Sequence, residues 1–144
     1  MTFQELGLRP ELLQAIEDLG FTNPTPIQEQ AIPVLITENR DLVALAQTGT
    51  GKTAAFGLPL LNMVSNDASQ VQALVLCPTR ELCLQITRDL DELAKHLPNV
   101  RVAAVYGGAS MDQQIRQLKK GVQIVVGTPG RVHDLIRRKI LKLD

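Results

Sequence analysis

A chain of 144 residues, 44% of them hydrophobic and with 15 basic against 15 acidic side chains, has enough apolar material for one folded domain and is no disordered tail. Its apolar runs are short and interrupted, well under a bilayer span, and Met1-Thr2-Phe3-Gln4-Glu5 has neither the basic nor the apolar region of a secretory signal, so a soluble, cytoplasmic protein with no membrane partner is expected. Charge is uneven: residues 112–144 carry eight Lys or Arg against three Asp, and the preceding residues carry seven against twelve. The basic end permits a phosphate backbone nearby, and solvated helix faces explain it equally well.

A first helix is predicted to start near Pro10, a good first-turn residue, and to end at Gly20, with Leu12, Leu13, Ile16 and Leu19 inward. Phe21-Thr22-Asn23-Pro24-Thr25-Pro26 is too rich in turn formers for a strand. Thr25 is placed as the N-cap of a second helix, with Ile27, Ala31, Val34 and Leu35 on its inner side and Pro33 expected to kink or shorten it. Leu42–Ala46 reads as a buried strand.

That run leads directly into Ala46-Gln47-Thr48-Gly49-Thr50-Gly51-Lys52-Thr53, which continues as helix through Ala54, Ala55 and Phe56. Strand, glycine-rich loop and Lys-Thr at a helix start are the context of a Walker A phosphate loop. Gly49 and Gly51 allow the backbone N–H groups to turn inward around an anion, and the helix N-terminus adds partial positive charge. Lys52 would reach the β- and γ-phosphates, and the Thr53 hydroxyl would ligate Mg²⁺. The general pattern begins with Gly where this chain has Ala46, which narrows the family of loops.

Ala73–Cys77, Val102–Tyr106 and Val122–Val126 are further strands, apolar with little alternation, as expected when both faces are covered. Between and after them run helical stripes: Leu82, Ile86, Leu90, Leu93 and Leu97; Met111, Ile115 and Leu118; Val132, Leu135, Ile136 and Ile140. Cys77 and Cys83 have no further Cys or His cluster for a zinc site and read as core thiols without a disulfide. Strict alternation of strand and helix predicts an α/β fold, a parallel sheet with helices on both faces.

A phosphate loop alone does not separate kinases, GTPases and helicases, although no Asn-Lys-x-Asp base-reading motif is present. The other segments decide. Gly20-Phe21-Thr22-Asn23-Pro24-Thr25-Pro26-Ile27-Gln28 resembles the Q motif of DEAD-box helicases, with the isolated aromatic Phe3 seventeen residues before its glycine. Residues 46–53 match that family's motif I, Pro78-Thr79-Arg80-Glu81-Leu82 its motif Ia, Gly107-Gly108 its glycine doublet and Thr128-Pro129-Gly130-Arg131 its motif Ib, in order, from Phe3 to at least Arg131.

The resemblance implies an ATP-dependent RNA helicase, a RecA-like fold, and ATP with Mg²⁺ as cofactors. Residues 1–144 would be an incomplete N-terminal ATP-binding domain, with the Q motif over 3–28, the phosphate loop over 46–53 and the second RecA-like domain absent. Nucleotide contacts are expected from Phe21, Asn23, Gln28, Gln47, Thr48, Gly49, Thr50, Gly51, Lys52 and Thr53, the last two also serving catalysis. A glutamine amide offers donors and an acceptor suited to adenine, Phe21 can stack on the base, and Phe3 is expected to pack behind the motif. Pro78, Thr79, Arg80, Glu81, Gly107, Gly108, Thr128, Pro129, Gly130 and Arg131 would line an RNA path, at the carboxyl edge where open α/β sheets bind ligands. Helix capping accounts for Thr79 and Thr128 equally well.

The family's Asp-Glu-Ala-Asp and Ser-Ala-Thr motifs do not occur in these residues, and Asp91-Glu92-Leu93-Ala94 falls within a helix stripe. The chain is therefore expected to be a truncated piece that binds nucleotide without turnover and whose uncovered strand edges favour self-association. A passive adenine-nucleotide binder and a DNA-directed relative are the other readings.

Overall fold

The computed structural model describes residues 1–38, 40–47, 49, 51–65 and 70–143. It divides into two compact units, Met1–Met63 with Glu92–Leu97, and Val64–Asp91 with Pro98–Asp144. The first unit holds a 3-10 turn at Phe3–Leu6 and helices α1 (Pro10–Asp18), α2 (Pro26–Thr37) and α3 (Lys52–Met63). Pro10 opens α1, and Leu12, Ala15 and Ile16 form its buried face. Leu13 and Leu19 of the predicted stripe are only half-buried. Helices α2 and α3 pack on each other through Ala31, Ile32, Ala54, Ala55, Leu58 and Leu61. Arg9 N–H donates to Asn62 Oδ1 at 2.8 Å, fastening the entry to α1 onto α3.

Pro33 does not end α2, which runs on to Thr37, where the hydroxyl donates to the Pro33 carbonyl at 2.6 Å. At the end of α1, Asp18 accepts from Gln14 and meets Lys95 at 3.0 Å and His96 at 2.6 Å. Those donors, His96 first, hold its carboxyl well below the usual carboxylate range.

The second unit has strands β1 (Ala73–Leu76), β2 (Val102–Val105) and β3 (Ile124–Gly127), with helices α4 (Arg80–Leu93), α5 (Met111–Lys119) and α6 (Pro129–Arg137). The strands are all parallel in the order β1–β3–β2, with Ala73 and Val102 both level with Ile124. Central β3 is buried from end to end, so both of its faces must be covered. One face, carrying Ala103, Val105 and Val125, packs on Met111, Ile115 and Leu118 of α5 and on Val132 and Leu135 of α6. On the other face Val102 and Ala104 border a cavity that Thr87 of α4 also lines. The expected α/β fold with helices on both faces is therefore present.

The thiols of Cys77 and Cys83 are free and buried, and Cys83 Sγ lies 3.1 Å from the Val126 carbonyl. Burial, with Cys77 adjacent, pushes the Cys83 thiol up to about 12. Among the described residues no helix is long and apolar enough to cross a membrane.

One predicted strand is corrected. Residues 42–46 form no strand and have no ladder partner among the described residues; the three strands pair only with one another. Without a neighbour to cover them, Val43 and Leu45 are 90% and 92% exposed. Leu82 and Ile136, assigned to inner stripes, are also exposed, because α4 and α6 turn those positions away from the sheet.

Gly127 is the tightest point of the sheet. A Cβ there would stand 2.4 Å from Val132 Cγ2 and 2.6 Å from Val105 Cγ2, with the Val105 carbonyl at 3.1 Å. The substitution Gly127→Ala is predicted to destabilise by about 1–3 kcal/mol through overpacking, read from denaturant unfolding. A loss within experimental error would show that α6 can retreat from the sheet at no cost.

Candidate functional site

The glycine-rich segment opens α3 as expected. Gly49 and Gly51 have φ of +78° and +85°, a region that side chains with a Cβ avoid, and the helix starts at Lys52. Lys52 is exposed, Thr53 is half-buried, and the space around Gly49 is open. Thr48 and Thr50 lie outside the described residues, and Gln47 is exposed.

Gln28, from the turn-rich segment, reaches this loop. Its Nε2 donates to the Gly51 carbonyl at 3.2 Å, while its Oε1 accepts from the Thr25 N–H at 3.0 Å. The Gln28 side chain thus closes half of a capping box at the start of α2 and grips the phosphate loop with its other end. Only a glycine fits at the contact: a Cβ on Gly51 would lie 2.4 Å from Gln28 Nε2. Gln28 is 3% exposed, so this amide is a structural member of the loop before any ligand arrives.

Thr25 sits at the N-cap as expected, but its hydroxyl makes no cap bond and is buried without a partner among the described residues. It faces Gly51, where a Cβ would meet it at 3.1 Å. Phe3 is buried behind the segment as expected. Phe21 is 46% exposed and lines a cavity of about 180 Å³ with Phe3, Gly20 and Thr22. Asn23 is exposed.

These residues fit a nucleotide phosphate. Left-handed glycines, an N-terminal helix turn with an exposed lysine and an orphaned hydroxyl are what an anion requires. Among the described residues no cluster of three or more His, Cys, Asp or Glu could hold a metal. Thr53 alone would ligate Mg²⁺, which suits an ion that keeps its waters and arrives with phosphates.

The second group of expected site residues gathers at the carboxyl edge of the sheet. Residues 78–81 follow β1, Gly107 and Gly108 follow β2, and residues 128–131 follow β3, so strand order puts the last loop between the other two. Pro78, Thr79, Arg80, Glu81, Gly107, Gly108, Pro129 and Gly130 are exposed. A Cβ at Gly107, Gly108 or Gly130 would meet nothing within 4 Å, so a ligand could approach all three.

Three helix N-termini open onto this edge, and they differ in capping. Thr79 Oγ1 accepts from the Leu82 N–H at 3.2 Å and Ser110 Oγ from the Gln113 N–H at 3.3 Å, whereas the Thr128 side chain makes no cap bond. Arg131 is held by internal bonds. Its Nη1 donates to Gln114 Oε1 at 2.9 Å, and both terminal nitrogens reach the Ala109 carbonyl at 3.3–3.4 Å. Gln114 in turn donates to the Tyr106 carbonyl at 3.1 Å, so Arg131 braces the glycine doublet against α5. Arg80 places its guanidinium 5.0 Å from the centre of the Tyr106 ring.

Sequence reasoning missed Gln114 and Tyr106. A buried glutamine on a polar helix leaves no periodic signal, and an aromatic at a strand end reads as core. Gln28→Leu is predicted to lower stability by about 1–3 kcal/mol in the absence of nucleotide, because it strands the half-buried Thr25 N–H and frees the Gly51 carbonyl. Unfolding that is unchanged without nucleotide would show that the amide has no structural role.

Comparison with known proteins agrees with this geometry. Residues 25–143 match the family model described as DEAD/DEAH box helicase. The chain is 51% identical to the ATP-dependent RNA helicase CshA of Listeria monocytogenes, covering 99% of this chain and 27% of that protein. It is 50% identical to the ATP-dependent RNA helicase DeaD of Klebsiella pneumoniae, over 99% of this chain and 22% of the relative. The chain thus spans about a quarter of the length of these relatives. Among solved structures, a DEAD box protein from Methanococcus jannaschii superposes with a TM-score of 0.93 at 43% identity, covering 99% of this chain and 39% of that one. Dbp5 of S. cerevisiae bound to RNA and ADP BeF3 superposes at 0.88 with 38% identity, over 99% and 36%. With the phosphate loop, the Gln28 grip and the three loops of the sheet edge in place, the chain belongs to the DEAD/DEAH box helicase family.

Proposed function

We propose that these residues are the ATP-binding portion of an RNA-stimulated ATPase that separates short RNA duplexes in the cytoplasm. The observation that carries this reading is the bond from Gln28 to the carbonyl of Gly51, which joins the adenine-reading segment to the phosphate loop. Two of the amide's four hydrogen-bonding positions go to Thr25 and Gly51, leaving one N–H and one lone pair for adenine. That complement selects adenine over guanine. Phe21, exposed beside its cavity, would stack on the base, with Asn23 alongside.

Bound ATP would place its phosphates in the turn of Gln47, Thr48, Gly49, Thr50 and Gly51 at the start of α3. Lys52 would neutralise charge on the β- and γ-phosphates, and Thr53 would hold Mg²⁺, which supplies further neutralisation during phosphoryl transfer. The carboxyl edge would carry one RNA strand by its backbone. Exposed glycines, helix N-termini and Arg80 favour phosphates and none of them reads a base, which gives sequence-independent binding. The names of CshA and DeaD and the RNA in the Dbp5 complex support RNA as the polymer.

Within the 144 residues no Asp-Glu-Ala-Asp tetrad is present to position an attacking water. The 144-residue chain would therefore bind nucleotide without turning it over, and hydrolysis would belong to a longer protein carrying these residues. In such a protein, single-stranded RNA is predicted to stimulate phosphate release, and Lys52→Ala to lower it by about a hundredfold or more. Absence of stimulation by any RNA would overturn the reading.

A further inference from the structure

Arg80 occupies an unfavourable place. It is the first residue of α4, where the helix macrodipole repels a cation, and among the described residues no carboxylate forms an ion pair with it. What it has is the ring of Tyr106, 5.0 Å from its guanidinium carbon and within the range of a cation–π contact.

The topology shows where that contact lies. Arg80 follows β1 and Tyr106 follows β2, the two outer strands, with β3 between them. Neighbouring strands stand about 4.8 Å apart, so a side chain joining the ends of the outer two crosses the end of the middle one. The ring lies on the face that α4 covers, where it lines a cavity with Thr87 and Asp91 of that helix. Stacking on an aromatic face uses the plane of the guanidinium and leaves its in-plane N–H donors directed outward. Arg131, the other arginine of this edge, spends its terminal nitrogens on Ala109 and Gln114.

We propose that Tyr106 is a positioning residue for RNA binding, its ring holding the Arg80 guanidinium at the carboxyl edge on the α4 side of the sheet as the phosphate contact, while Arg131 is a structural brace. The proposal rests on the reading of this edge as the RNA path. An unpaired cation at a helix start is costly in the free protein and favourable once a phosphate adds its charge, so the electrostatics of α4 themselves direct Arg80 toward an anion. A backbone contact of this kind positions the strand without reading its sequence.

The test measures binding of a single-stranded oligoribonucleotide by fluorescence anisotropy across a range of salt. Arg80→Gln, an exposed change, is expected to weaken binding about tenfold and to reduce the salt slope by about 0.7, the loss of one phosphate contact. Tyr106→Leu is expected to weaken binding about two- to fivefold, Tyr106→Phe to stay within about twofold of wild type, and Arg80→Gln to cost much less in the Tyr106→Leu background. Full additivity of the two, or wild-type affinity in a folded Tyr106→Leu protein, overturns the positioning role and leaves the RNA path intact. RNA binding that ignores Arg80→Gln and does not respond to substitution of Gly107, Gly108 or Gly130 removes the path, and the proposal with it.

A surface variant covers the case in which Tyr106→Leu fails to fold. Tyr106 is the chain's only tyrosine and no tryptophan is present, so ultraviolet emission reports on this ring alone. Arg80→Gln is expected to change that emission before RNA is added, and unchanged emission overturns the pairing.

Discussion

One amide ties the turn before α2 to the glycine loop that opens α3. Gln28 caps the turn before α2 with its oxygen and holds the Gly51 carbonyl with its nitrogen, and each bond constrains the other. The turn of residues 20–26 cannot move without pulling on the loop that opens α3, and the loop accepts no side chain at position 51 because the amide occupies that space. The glutamine is therefore part of the loop's framework as well as a candidate contact to adenine. Under the proposed function, the arrival of a base would be passed to the phosphate site through that single hydrogen bond.

The carboxyl edge of the sheet follows another logic. Parallel strands deliver every following loop to the same side, and the order β1–β3–β2 puts the loop of residues 128–131 at the centre. Rigidity comes from below: β3 is fully buried, Gly127 admits the Val132 and Val105 methyl groups, and Arg131 with Gln114 fixes the glycine doublet to α5. On that base the exposed groups include glycine backbone, helix starts, Arg80 and the carboxylate of Glu81, the surface proposed to take a chain of repeating phosphates. Within the basic stretch of residues 112–144, Arg131 bonds inward to Ala109 and Gln114, while Arg137 of α6 and Arg138 just beyond it stand exposed.

Much of this was legible in the sequence because it rested on local chemistry. Strand–helix alternation gave the parallel sheet, and glycine spacing before Lys52 gave the left-handed turns at Gly49 and Gly51. Pro10 and Thr25 marked helix starts to the residue, although the Thr25 hydroxyl turned out not to do the capping. What failed was context. Residues 42–46 have a strand's composition but no ladder partner, and strand formation depends on neighbours that composition cannot reveal. The bonds of Arg131 to Ala109 and Gln114, 22 and 17 residues away in sequence, were not foreseen. The pairing of Arg80 with Tyr106 is invisible for the same reason: it joins two strand ends that only the fold makes neighbours.

The proposed function requires that the Gln28 amide, while gripping Gly51, still presents a donor and an acceptor to adenine. Calorimetric titration of this protein with ADP and with GDP in the presence of Mg²⁺ addresses it directly. The account predicts that ADP binds at least about tenfold more tightly, the discrimination expected of one bidentate amide contact. Equal affinity for the two nucleotides would contradict it.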